Sequence, residues 1–175
     1  KLHQFLSGAG AVFTTLEPPP ERVVELEAQP FLPAAPEKRL FEAHFCRNCG
    51  HEYHPVRRRE DTFFPRGIED GPVRSSEDDE DDTAEDSERE VVGFLTLAYS
   101  PEGDAFEVDG EAADYPADWL KVRANGTRRL RQNYRKYRAQ SVRVEPDGME
   151  SAAGAAAWFL PGKFRFCLRC GATQG

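Results

Sequence analysis

The chain has 175 residues, 39% hydrophobic and 31% charged, with a mean hydropathy of -0.67 and a formal net charge of -8. That length allows one domain with a modest core, and the lack of a long apolar run excludes a transmembrane helix. The acidity is local: residues 69–90 hold twelve acidic side chains against Arg74 and Arg89, a net of -10, which leaves the remainder at +2. The overall charge therefore does not argue against a nucleic-acid partner.

The chain opens on Lys1, not Met, and KLHQFLSGAG lacks a basic-then-apolar leader, so the sequence reads as a segment of a longer protein. Ala11–Glu17 (AVFTTLE) is rich in β-branched residues and stops at Pro18, Pro19 and Pro20. Arg22–Glu27 can pair back on it as a hairpin. Arg39–Phe45 alternates and leads into Cys46, and Glu52–Arg58 is its returning strand. Residues 61–90 break this pattern. They contain SSEDDEDDTAEDSERE, have nothing to anchor a core, and read as a solvated acidic loop.

Structure resumes at Val91–Tyr99 (VVGFLTLAY), with Ala105–Val108 as a candidate partner. Pro116–Lys121 reads as a helical turn. In Thr127–Ala139, Leu130, Tyr134 and Tyr137 fall at i, i+4 and i+7, which predicts a helix with Thr127 as N-cap. Gln140–Glu145 returns to strand pattern before the turn at Pro146-Asp147-Gly148. Met149–Ala157 carries little signal, and Trp158–Phe166 delivers the chain to Cys167. The expected class is α+β, mostly β: a single module over 1–175 with one or two short helices.

All four cysteines lie in two matched knuckles, Cys46-Arg47-Asn48-Cys49-Gly50 and Cys167-Leu168-Arg169-Cys170-Gly171. Two cysteines separated by two residues can turn toward one ion, and the following glycine permits the positive-φ turn that aims backbone N–H groups at the sulfurs. Four thiolates make a closed tetrahedral set, so Cys46, Cys49, Cys167 and Cys170 are the expected ligands of one structural Zn2+. His44, His51 and His54 flank the first knuckle, but a complete four-cysteine set does not need them. Two disulfides or a redox pair are the zinc-free alternatives. Clustered cysteines without a leader also fit a reducing, cytoplasmic setting.

The gap between the knuckles is far longer than the roughly 15 to 20 residues usual in a zinc ribbon. Loop closure costs about 0.6 kcal/mol per doubling of length, so about three doublings cost roughly 2 kcal/mol. A structural zinc site contributes on the order of 10–16 kcal/mol. The knuckles therefore read as a zinc-ribbon-like clasp closing a long insertion.

Arg128, Arg129, Arg131, Arg135, Lys136 and Arg138 cluster in one stretch, with Arg143 beyond. On a helix, Arg128, Arg131, Arg135 and Arg138 would form a stripe suited to a phosphate backbone, with no sequence-reading logic. The bland reading is a solvated face, or one that meets the acidic loop or a neighbouring domain. Gly162-Lys163 looks like the end of a phosphate-binding loop, but Phe164 stands where Ser or Thr is required. No nucleophilic triad or dyad is evident, because the cysteines are committed to metal. The segment by itself is expected to be no enzyme.

The order of segments KLHQFLSGAGAVFTTLEPP, HFCRNCGHEYHPVR, DYPADWL, RLRQNYRKY followed by QSVRVEPDG, and WFLPGKFRFCLRCG resembles a zinc-binding insertion of very large bacterial DEAD/DEAH-box helicases. It covers nearly the whole chain except the acidic tract, and the cysteine pairs are its most specific part. The resemblance implies a superfamily 2 parent whose motor domains bind ATP and Mg2+ and act on DNA. It also implies association with anti-phage defence clusters and with other defence-system subunits, with no membrane partner. None of the motor's catalytic motifs falls in this segment. A protein-interaction scaffold without nucleic-acid contact is the competing reading.

Overall fold

The computed structural model describes residues 11–67, 90–99, 105, 108 and 115–173. Twelve strands are assigned there: β1 Val12–Thr14, β2 Val24–Glu25, β3 Phe31–Leu32, β4 Ala35–Arg39, β5 Phe41–Phe45, β6 Glu52–Arg59, β7 Thr62–Pro65, β8 Val91–Leu97, β9 Leu120–Val122, β10 Arg128–Leu130, β11 Gln140–Val144 and β12 Ala155–Pro161. Two 3₁₀ segments, Ala117–Trp119 and Gln132–Tyr137, are the helical elements described. The fold is thus mostly β, and no helix among the described residues is long and apolar enough to cross a membrane.

The main sheet is antiparallel, in the order β11-β12-β8-β6-β5-β1-β2, with β7 paired to the C-terminal part of β6. Its central strands are covered on both faces, which is why VVGFLTL reads as a nearly continuous apolar run. Alternation sorts their side chains. Leu95, Val56, Ala157 and Phe159 join Leu16, Phe41, Phe63 and Val144 in one core cluster. Phe94, Tyr53 and Leu160 join Trp119, Leu120, Leu130, Phe166, Cys46 and Cys167 in the other. Gly93 makes the first packing possible: a Cβ there would meet the Leu160 carbonyl oxygen at 2.4 Å and the Phe159 ring at 2.5 Å.

The strands expected from the sequence are present with shifted ends. Glu52–Arg58 is extended by one residue, and β1 pairs with both β2 and β5. The stretch before Cys46 divides: Ala35–Arg39 pairs with Phe31–Leu32 in a separate hairpin, and Phe41–Phe45 joins the main sheet. The loop expected over 61–90 begins later, because Thr62–Pro65 is a strand whose Phe63 is fully buried against Phe159. Residues 68–89, with nearly all of the acidic tract, lie outside the described residues. So does most of Ala105–Val108, although Ala105 forms a bridge with Tyr99.

The helix expected over Thr127–Ala139 does not form. Arg128–Leu130 is a strand paired to Leu120–Val122, and helical structure is confined to Gln132–Tyr137 with 3₁₀ geometry. Thr127 caps no helix; its N–H and hydroxyl both donate to Asn125 Oδ1, within the turn. An isolated helix of that length is marginal in water. Tertiary pairing wins because it buries Leu130 opposite Leu120 and gives Arg131 N–H the Trp119 carbonyl at 2.8 Å.

Candidate metal centre

Each knuckle is built by the same local bonds. Gly50 N–H donates to the Cys46 carbonyl and Gly171 N–H to the Cys167 carbonyl, both at 2.8 Å. Cys46 N–H donates to the His51 carbonyl at 2.8 Å, and Cys167 N–H to that of Ala172 at 2.9 Å. Both turns close through the left-handed region, with φ of 72° at Gly50 and 70° at Gly171, where any other residue would be strained.

The tertiary fold then sets the two turns face to face. Cys46 Sγ lies 3.7 Å from Cys170 Sγ, and Cys49 Sγ lies 3.7 Å from Cys167 Sγ. All four sulfurs lie within 4.8 Å of one another. A tetrahedral ion with Zn–S bonds of about 2.3 Å separates its sulfurs by about 3.8 Å. The closest pairs match that edge, and the four thiols are unbridged. The donor set fits a structural metal ion, with every sequence-predicted ligand brought to one place. Sequence separation exceeds 115 residues across both contacts, so the cluster joins two widely separated parts of the chain.

In each knuckle the first cysteine is buried, while Cys49 is half-buried and Cys170 lies at the surface. Burial pushes the Cys49 and Cys167 thiols up from their ordinary value. At Cys170 the upward push of burial is outweighed by the Ala172 N–H and the Asn48 side-chain amide, which hold it down to about 7. Asn48 Nδ2 reaches Cys170 Sγ at 3.5 Å, a bond from one knuckle to the other. One thiol is thus ready to ionise near neutrality, and a bound cation would draw off the protons of the rest.

Tyr53 supports the second knuckle from beneath. Its hydroxyl accepts the Leu168 N–H at 2.9 Å and donates to Cys167 Sγ at 3.3 Å, with the ring fully buried on β6. A hydrogen bond of this kind orients a ligand and stabilises its thiolate. Sequence reasoning missed Tyr53 and Asn48. Tyr53 shows only as one more aromatic in an alternating strand, and Asn48 only as a small polar residue inside a knuckle.

The flanking histidines do not join the cluster. His51 Nε2 lies 2.8 Å from Thr96 Oγ1, His54 Nδ1 donates to the Glu42 carbonyl at 3.1 Å, and His44 Nε2 faces Glu42 Oε1 at 3.1 Å. Burial pushes His51 and His54 down to about 4 each, so both stay neutral at physiological pH.

The six basic residues singled out in the sequence gather beside the clasp, but not as a helical stripe. Arg128 and Arg129 sit on β10, Arg131 precedes the 3₁₀ helix, and Arg135, Lys136 and Arg138 lie on or just after it. In a 3₁₀ helix positions three apart align. Tyr134 and Tyr137 therefore form the inner row, with Tyr134 stacked on Trp119 at 4.7 Å, while Arg135 and Arg138 share an outer row. Trp119 also meets Phe166 edge-on at 5.1 Å, immediately before Cys167. The basic segment and the second knuckle rest on one aromatic floor.

Comparison with family models, with curated proteins and with solved structures finds no match to this chain. The geometry is that of a mostly-β module with four cysteines placed to hold one metal ion.

Proposed function

We propose that this chain is a non-catalytic accessory module of a larger ATP-dependent DNA helicase or translocase, in which one structural Zn2+ fixes the module's shape. The observation that carries the zinc role is the closed set of four sulfurs at tetrahedral spacing, drawn from two parts of the chain more than 115 residues apart. A closed thiolate set leaves no coordination position for a substrate, so the metal's task is to hold those two parts together. The helicase parent rests on the resemblance of the ordered segments, and ATP and Mg2+ would belong to its motor domains. In this reading the clasp presents a rigid body that docks against the motor and guides nucleic acid in the cytoplasm. A role in phage defence belongs to the same reading.

Metal analysis of the purified chain tests the central claim. One zinc per chain is expected, and a cobalt-substituted sample should show a four-sulfur tetrahedral spectrum. Metal-free protein with unchanged thermal stability would overturn the clasp, and water among the cobalt ligands would show an open coordination position, as in a catalytic rather than a structural site. The sequence flanking this segment tests the parent: motor motifs on either side are expected.

A further inference from the structure

Several surface cations among the described residues are paired with carboxylates. Arg22 pairs with Glu52, Lys38 with Glu17, Arg58 with Glu150, and Arg57 and Arg59 with Glu90. The β9–β10 hairpin and its 3₁₀ extension are different. Between Ala117 and Arg138 there are eight cations, Lys121, Arg123 and the six named above, against the single carboxylate of Asp118. Among the described residues, Lys121, Arg123, Arg128, Arg129 and Arg135 have no ion-pair partner, and all five are exposed.

The strand register adds a second observation. Leu120 and Leu130 face each other and are buried, which turns the next pair, Lys121 opposite Arg129, to the solvent side. Like charges directly opposite across two strands are destabilising. The hairpin nevertheless holds them together, because the stack of Trp119 on Tyr134 and the bond from Arg131 Nε–H to the Leu120 carbonyl at 3.1 Å fix its base. A locally unfavourable concentration of cations on a rigid support is what an external polyanion relieves.

We infer that this lobe is a binding surface for the sugar-phosphate backbone of nucleic acid, centred on Lys121, Arg129 and Arg135. The inference gives a place and a chemistry to the nucleic-acid role proposed above and rests on that reading. Guanidinium and ammonium groups meet phosphate oxygens here, and the binding is independent of base sequence. Its affinity falls linearly in log–log form with salt, with a slope of about -0.9 per neutralised phosphate on a duplex and about -0.7 on a single strand.

The test uses the zinc-loaded chain, a short fluorescent DNA duplex, the matching single strand, and anisotropy across a salt series. Lys121→Glu is the decisive variant. It should reduce the salt slope by about one or more, weaken binding severalfold, and leave thermal stability unchanged or higher, because it turns a like-charge cross-strand pair into an opposite-charge one. Arg135→Glu should weaken binding in the same way, while Arg57→Glu, on β6 and paired with Glu90, should not. The arm with the higher affinity identifies whether duplex or single strand is the natural form. The inference is overturned by the absence of salt-dependent binding, by binding insensitive to Lys121→Glu and Arg135→Glu, by an equal loss in Arg57→Glu, or by polyglutamate competing as well as DNA. Any of these leaves the zinc stoichiometry untouched, so failure of the lobe and failure of the clasp are separate results.

Discussion

The two faces of the main sheet are held by different physics. On one, Leu16, Phe41, Val56, Phe63, Leu95, Val144, Ala157 and Phe159 form a continuous apolar cluster, with the buried His54 edge-on against Phe41. On the other, short segments that bury little by themselves (the hairpin, the 3₁₀ turns and the two knuckles) meet around Trp119, Phe166 and Tyr53 beside the four thiols. The first face is stabilised by removing apolar area from water, and it involves strands long enough to do so. The second has strands of three residues, and segments that short seldom hold without an added constraint. The four-thiol cluster therefore stands where the secondary structure is weakest, beside the surface that carries the cations.

The sharpest way to break that comparison is to remove a ligand. Cys46→Ser or Cys167→Ser should abolish stoichiometric zinc and cost on the order of 5 kcal/mol or more, about 10–20 °C in Tm. Hydrogen exchange should show β9, β10 and the 3₁₀ segments losing protection, while β11, β12 and β7 keep theirs. Uniform loss over both faces would show that the sheet is a single cooperative unit and that the division is wrong.

A matched pair of core truncations comes next. Phe159→Ala and Trp119→Ala should each cost about 3–5 kcal/mol, as measured by denaturant unfolding. Only Trp119→Ala should also weaken zinc retention against a competing chelator, because its ring lies against Phe166 beside the second knuckle. Equal retention in the two variants would uncouple the aromatic floor from the metal.

Tyr53→Phe sharpens the comparison at single-atom level. It keeps the ring and removes the hydroxyl between Leu168 N–H and Cys167 Sγ. Zinc affinity should fall by about 10- to 100-fold, with a stability cost of about 1–3 kcal/mol. Affinity within twofold of the native chain would mean that the hydroxyl serves packing alone.

The last effect is confined to acid pH. Burial holds His54 down to about 4 in the folded chain, against an ordinary value of 6.5. The unfolded chain binds the proton first, so stability is full above about 6.5 and falls as the pH drops toward 4. His54→Asn can still donate to the Glu42 carbonyl, and it should flatten the stability of the zinc-free protein over that window by up to about 1.4 kcal/mol per pH unit. An unchanged profile would place the acid sensitivity elsewhere.

The clustered thiols were legible in advance because a knuckle is a local device. Two cysteines, their spacing and a glycine at positive φ define it within five residues, wherever the rest of the chain goes. The central strands were legible for a related reason: an apolar run with β-branched residues has few ways to bury itself. The stretch from Thr127 to Ala139 was misread because its 3.6-residue periodicity is genuine, yet Leu130 finds a better partner in Leu120 than in its own turn. Thr62–Pro65 escaped notice for want of length, since four residues become a strand only when β6 offers an edge.

By itself, then, the sequence determined the four thiols, the strands that lead to them and the concentration of positive charge near residue 130. Those properties depend on neighbours in the chain. Only the tertiary structure decided that the knuckles face each other at tetrahedral spacing, that Tyr53 reaches a ligand, and that Lys121 is forced opposite Arg129. Each of these requires residues far apart in sequence to meet, and strand register and side-chain packing choose which ones do.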